Sequence, residues 1–144
     1  MPLDKKKLRQ YRALQKEIPM LKRKLDKLYE KTQDIPTVIG KVTKSSDDFP
    51  YIKEHLSVQM DEPKEAEELT KQIRINEQRL RKAEADRTEI EEFIVGIEDS
   101  MDRQIFELCF LKGKNQRIVA DIVGLEQSSI SKRITAQIQL SYNS

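Results

Sequence analysis

Gln116-Arg-Ile-Val-Ala-Asp-Ile-Val-Gly-Leu-Glu-Gln-Ser-Ser-Ile-Ser-Lys-Arg-Ile134 decides the fold. The pattern is that of two short helices joined by a tight turn, a helix-turn-helix. Asn115 stands where an N-cap belongs, since its side-chain oxygen can accept an orphan backbone N–H. The first helix of the pair is expected over Gln116–Val123, with Val119, Ala120, Ile122 and Val123 facing inward. Ala120 is small where the two helices cross most closely. Gly124 follows four residues later, where the turn requires positive φ. Leu125 plugs the turn. The second helix starts at Gln127, and Ile130, Ile134 and Ile138 form one stripe at i, i+4 and i+8.

Upstream, Lys112-Gly113 closes a preceding helix, because glycine takes the left-handed position after a helix end without a Cβ penalty. The last third of the chain, Asp99 to Leu140, therefore reads as three short helices. On the outer face of the last one stand Gln127, Ser128, Ser131, Lys132 and Thr135. These groups can bond base edges and phosphates in a major groove. We expect Gln127, Ser128, Ser131 and Lys132 to contact bases, and Lys114, Gln116, Arg117 and Arg133 to contact phosphate. The plainer reading is a three-helix core with a polar outer face.

The same residues carry a resemblance. Asp102-Arg-Gln-Ile-Phe-Glu-Leu-Cys-Phe-Leu-Lys-Gly113, Ile118-Val-Ala-Asp-Ile-Val-Gly-Leu125 and Ser128-Ser-Ile-Ser-Lys-Arg-Ile134 resemble region four of bacterial sigma factors. More closely, the chain resembles the small phage and prophage proteins of Firmicutes related to that region, including the ArpU/RinA-type activators of late phage transcription. Ile39-Gly-Lys-Val-Thr-Lys-Ser-Ser-Asp-Asp-Phe-Pro-Tyr-Ile52 and Ile90-Glu-Glu-Phe-Ile-Val-Gly-Ile97 share that likeness. In one departure, Glu126 stands where Ser or Thr usually caps the recognition helix. The resemblance implies a DNA-binding regulator of phage or prophage genes, a late-gene activator with host RNA polymerase as a further partner. The chain lacks the length for the other promoter-reading sigma domains.

The rest of the composition suits long solvated helices. Of 144 residues, 36% are charged and 6% aromatic, with no Trp and four Gly. No apolar run approaches the roughly 18 residues of a membrane span. Met-Pro-Leu-Asp-Lys-Lys-Lys lacks the apolar stretch of a secretory signal. A single cysteine, Cys109, excludes an internal disulfide framework and fits a reducing cytoplasm, which the resemblance makes that of a bacterial host.

The net charge is +2, but its layout is uneven. Residues 1–33 hold 11 Lys/Arg against 4 Asp/Glu, residues 34–99 hold 10 against 17, and residues 100–144 hold 6 against 4. A basic segment followed by an acidic one suits either a nucleic-acid arm or two helices of complementary charge that pack together. Matching apolar seams favour the second. Tyr11, Leu14, Ile18, Leu21, Leu25 and Leu28 alternate steps of 3 and 4. Ala66, Leu69, Ile73, Asn76, Leu80, Ala83, Arg87, Ile90, Ile94 and Ile97 keep the same rhythm over a longer span. Asn76 and Arg87 interrupt that second seam: either they fix register, or both face solvent at a frayed contact. Pro19 removes an N–H inside the first helix and predicts a kink or short break near Glu17-Ile18.

The second helix is expected to start after Pro63, with Asp61 as N-cap and Glu62, Glu65, Glu67 and Glu68 near its positive end. It would run to about Asp99, roughly 35 residues and on the order of 50 Å. Phe93 joins Ile90, Ile94 and Ile97 as a docking surface for Ile105, Phe106 and Leu108. Because the seams differ in length, Leu69, Ile73 and Leu80 stay incompletely covered, which predicts a homodimer contact at these residues. Between the helices, residues 32–61 carry Pro36, Gly40, Pro50 and a Ser45-Ser-Asp-Asp48 turn cluster. Leu56, Val58 and Met60 alternate as a strand would, and Val38 and Val42 offer a partner. A small β-hairpin and an irregular loop fit this insert equally.

Enzyme chemistry finds little purchase. His55 has no Cys or second His with metal-ligand spacing. Cys109 falls on the inward side of its helix beside Ile105, with no base in view. No catalytic residue, metal or cofactor is expected.

The fold class is therefore mainly α. An antiparallel helical hairpin over 1–99, with its insert at 32–61, precedes a helix-turn-helix domain over 100–144. Double-stranded DNA is the expected partner. A small-terminase-like packaging adaptor and a protein-interaction module without DNA affinity are the alternatives. The modest charge of the last segment keeps the second of these open.

Overall fold

The computed structural model describes residues 3–44 and 63–143, with side chains described over 3–32 and 64–143. Six α-helices carry the described chain: α1 Lys5–Arg9, α2 Tyr11–Lys44, α3 Pro63–Val95, α4 Ser100–Phe106, α5 Gln116–Val123 and α6 Gln127–Asn143. A π-helical turn, Glu107–Leu111, continues α4. No strand occurs among the described residues, and the fold class is mainly α as the periodicities predict. Among the described residues no helix is long and apolar enough to cross a membrane.

The chain packs as two compact units, Met1–Ile18 with Lys82–Ser144, and Pro19–Arg81. The division falls inside the long helices. In the first unit, Leu8, Tyr11 and Leu14 are buried, as are Ile90, Ile94 and Ile97 near the end of α3 and Ile105 and Phe106 of α4. The ends of the long helices thus share a core with the C-terminal helices. Asp4 caps α1, its carboxylate accepting from the Lys7 N–H at 2.7 Å. Leu3 and Leu8, on either side of that cap, occupy the positions of a hydrophobic staple, and both are buried. The Tyr11 hydroxyl donates to Glu91 at 2.7 Å. Burial and that carboxylate both hold the phenol above its usual pKa.

In the second unit, Leu21, Leu25 and Leu28 of α2 are buried. Leu69, Ile73 and Leu80 of α3 are only half-buried, so their cover within the unit is partial. Asn76 points inward at 4% exposure, so it does not face solvent. Its amide donates to the Gln72 carbonyl at 2.7 Å, and its Oδ1 has no partner among the described residues. Tyr29 donates across to Glu77 at 2.5 Å.

Several expectations are corrected. The short break allowed near Glu17-Ile18 does not occur, since α2 continues past Pro19. The break falls instead at Gln10, between α1 and α2. Val38 and Val42 are helical, because α2 continues to Lys44. With Ile35 and Ile39 they stand at 3–4 spacing, a helical period that Pro36 and Gly40 do not override. The strand-like Leu56–Met60 stretch, His55 and the proposed Asp61 cap lie outside the described residues. Helix α3 begins with Pro63 itself, whose fixed φ suits a first helical position. It ends at Val95 rather than near Asp99. Asp99 caps the next helix instead, accepting from the Asp102 N–H at 2.9 Å.

Candidate nucleic-acid interface

The helix-turn-helix is built from local signals. Gly113 sits at φ +69°, so it closes the π turn in the left-handed region. Beyond it, the Lys114 N–H reaches back to the Leu108 carbonyl at 2.9 Å. Asn115 caps α5, its side chain accepting from the Ile118 N–H at 2.9 Å. Gly124 ends α5 at φ +76°, and the Gly124 and Leu125 N–H groups share the Ala120 carbonyl at 2.9 and 3.0 Å. This is a Schellman-type closure, and it sets the angle at which α6 leaves. The Glu126 carbonyl then accepts from Ser129 at 3.0 Å and Ile130 at 3.2 Å. Helix α6 thus starts at Gln127 although Glu126 replaces the usual hydroxyl cap.

Val119, Ala120, Ile130 and Ile134 are buried and lock α5 to α6. Ile138 is half-buried. Ile122 is not inward: it is 55% exposed, and Ile118 beside it is 44% exposed. An eight-residue helix with Ile118, Val119, Ile122 and Val123 has two adjacent apolar stripes, and Ala120 selects the one that contains Val119.

The side chains expected to read DNA stand as follows. Gln127, Ser128, Ser131 and Lys132 are all exposed along α6. Thr135 is exposed too, but its hydroxyl donates to the Ser131 carbonyl at 3.0 Å, which leaves it as an acceptor. Lys114 and Arg117 are exposed at the head of α5, and Gln116 is half-buried there. Arg133 differs. Its guanidinium bonds Asp102 at 2.9 Å and lies 3.5 Å from Asp99. Gln137, one turn on, donates to the other Asp102 oxygen at 2.7 Å. Asp102 is buried, so Arg133 and Gln137 tie α6 to α4, and Arg133 is engaged before any phosphate arrives.

The sequence reading also missed Arg12. It donates to the Lys112 carbonyl and covers Gly113. The basic N-terminus therefore does two things. Lys7 pairs with Glu89 at 2.6 Å and Asp86 at 3.7 Å, as complementary packing predicts, while Arg12 reaches the helix-turn-helix. No signal in a single sequence links residues 100 positions apart. Cys109 is half-buried, and burial raises its thiol pKa while the Lys5 charge opposes that rise.

Comparison with protein-family models, with curated proteins and with solved structures finds no match to this chain.

Proposed function

We propose that this chain is a sequence-specific DNA-binding regulator. One observation carries the reading: α6, held by the Gly124 turn, presents an unbroken exposed row of Gln127, Ser128, Ser131 and Lys132. Amides and hydroxyls can donate to and accept from base edges, and lysine favours the guanine O6/N7 edge. Lys114, Gln116 and Arg117 supply the phosphate contacts that set register. Arg133 joins them through the guanidinium N–H groups that Asp102 does not engage. The resemblance to phage late-gene activators supplies the biological setting, control of phage or prophage genes in a bacterial cell with host RNA polymerase as a further partner.

Lys132→Ala tests the base-reading role. The expected loss is roughly 1–3 kcal/mol on a preferred duplex and little on random DNA. Equal losses on both would reduce Lys132 to a positioning contact.

The regulator acts as a homodimer in this reading. One recognition helix covers few bases, and two-fold pairing doubles them. Leu69, Ile73 and Leu80, half-buried along α3, offer the apolar surface for a second copy. Sedimentation at micromolar concentration should give a dimer for the wild type and a monomer for Ile73→Asp. A wild-type monomer without DNA would remove the standing dimer.

A further inference from the structure

A cleft of about 410 Å³ opens beside the helix-turn-helix. Lys5 and Arg9 of α1 and Arg12 of α2 line one side, and Lys114 and Gln116 line the other, with Gln127 at the start of α6. No carboxylate lines it. Lys5 and Arg9 share one face of α1 at i and i+4, and Arg12 follows just past the break at Gln10. Lys7, off that face, is the lysine that pairs with Glu89 and Asp86. Among the described residues neither Lys5, Arg9 nor Lys114 forms an ion pair. Arg12 is held in place by its bond to the Lys112 carbonyl, and a carbonyl does not neutralise it. Four cations thus converge without a counter-charge, an arrangement that an anion stabilises through charge-assisted hydrogen bonds.

The cleft shares Gln127 with the exposed row of α6. A duplex read by that row would carry its backbone past the cleft. We infer that Lys5, Arg9 and Arg12 bind the phosphodiester backbone, so that the basic N-terminal helix is a second, sequence-independent part of the interface. The inference rests on the DNA reading above. It identifies a polyanionic backbone as the ligand of a segment whose composition is equally well explained by pairing with acidic α3.

Salt dependence tests it. Each phosphate contact adds about 0.9 to the slope of log K against log salt. Lys5→Gln/Arg9→Gln should therefore lower that slope by about 2, and weaken preferred and random duplexes alike by about tenfold to a hundredfold near 0.1 M salt. Arg9→Gln alone should lower it by about 1. Lys5 and Arg9 make no ion pair among the described residues, so the thermal midpoint should hold. Lys64→Gln/Lys71→Gln removes the same charge from exposed positions outside the cleft, and should leave the slope within error. The charge-keeping swap Lys5→Arg/Arg9→Lys should also leave it. An unchanged slope in Lys5→Gln/Arg9→Gln, with the wild type still binding DNA, overturns the inference and spares the DNA reading. A wild type that binds no duplex at low salt overturns both.

Discussion

Phe106→Ala should cost about 3–5 kcal/mol and take the helix-turn-helix with it. Phe106 is fully buried, and its ring lies 5.9 Å from Phe93 and 5.3 Å from Phe110, both tilted near 50°. Such offset aromatic packing adds to the area term. Ile90, Ile94, Ile97 and Ile105 are buried in the same unit. Truncation to Ala leaves a void that helices anchored by Asp99 and Asp102 cannot close. In thermal unfolding the first unit should melt about 12–40 °C lower than in the wild type. A shift of only a few degrees would mean that α4 does not dock through this ring.

Gly113→Val is the second large effect, at about 2–4 kcal/mol. A β-branched residue at φ +69° costs roughly 1–3 kcal/mol in backbone strain. A Cβ at this position also runs into the Arg12 side chain, which must leave the Lys112 carbonyl. Loss of that hydrogen bond adds about 1 kcal/mol. Gly124→Val is a useful contrast. Its φ is +76°, but a Cβ there meets nothing within 4 Å. Only the strain remains, so Gly124→Val should destabilise less than Gly113→Val. Chemical denaturation of the two variants side by side measures the difference. Equal losses would show that Arg12 yields freely.

The parts of the molecule legible in the sequence are those encoded within a few residues. The Asn115 cap, the left-handed glycines at 113 and 124, and the span Gln116–Val123 each depend on neighbours at most five positions away. The parts that were not legible depend on distant partners or on competing local preferences. The bond from Arg133 to Asp102, 31 residues earlier, at 2.9 Å has no trace in the local pattern around Arg133. Ile122 fits the inward periodicity as well as Val123 does, and only packing chooses between them. The π turn at Glu107–Leu111 has no residue signature, yet it is where Lys112 bonds the Glu107 carbonyl at 3.0 Å instead of a residue one position nearer. Pro36 and Gly40 read as breakers, but the apolar spacing around them is helical and α2 continues through both.

The same logic explains the two roles of the N-terminus. Charge counts over residues 1–33 cannot separate Lys7 from Lys5, because both belong to one basic run. The fold separates them by angle around α1, sending one to Glu89 and the other to the cleft beside Lys114. Arg12, the residue that links the two regions, also occupies the space that a Cβ at position 113 would take.

Equilibrium binding of the wild-type chain to duplex DNA tests the central claim most directly. A preferred duplex, selected from a random pool, and a scrambled duplex of equal length would be titrated at the same salt, with fluorescence anisotropy as the readout. The account predicts tighter binding to the selected duplex by about a thousandfold or more, as specific DNA-binding proteins show. Equal affinity for both would contradict sequence-specific reading by α6, and binding to neither would leave α6 as the outer face of a protein-interaction module.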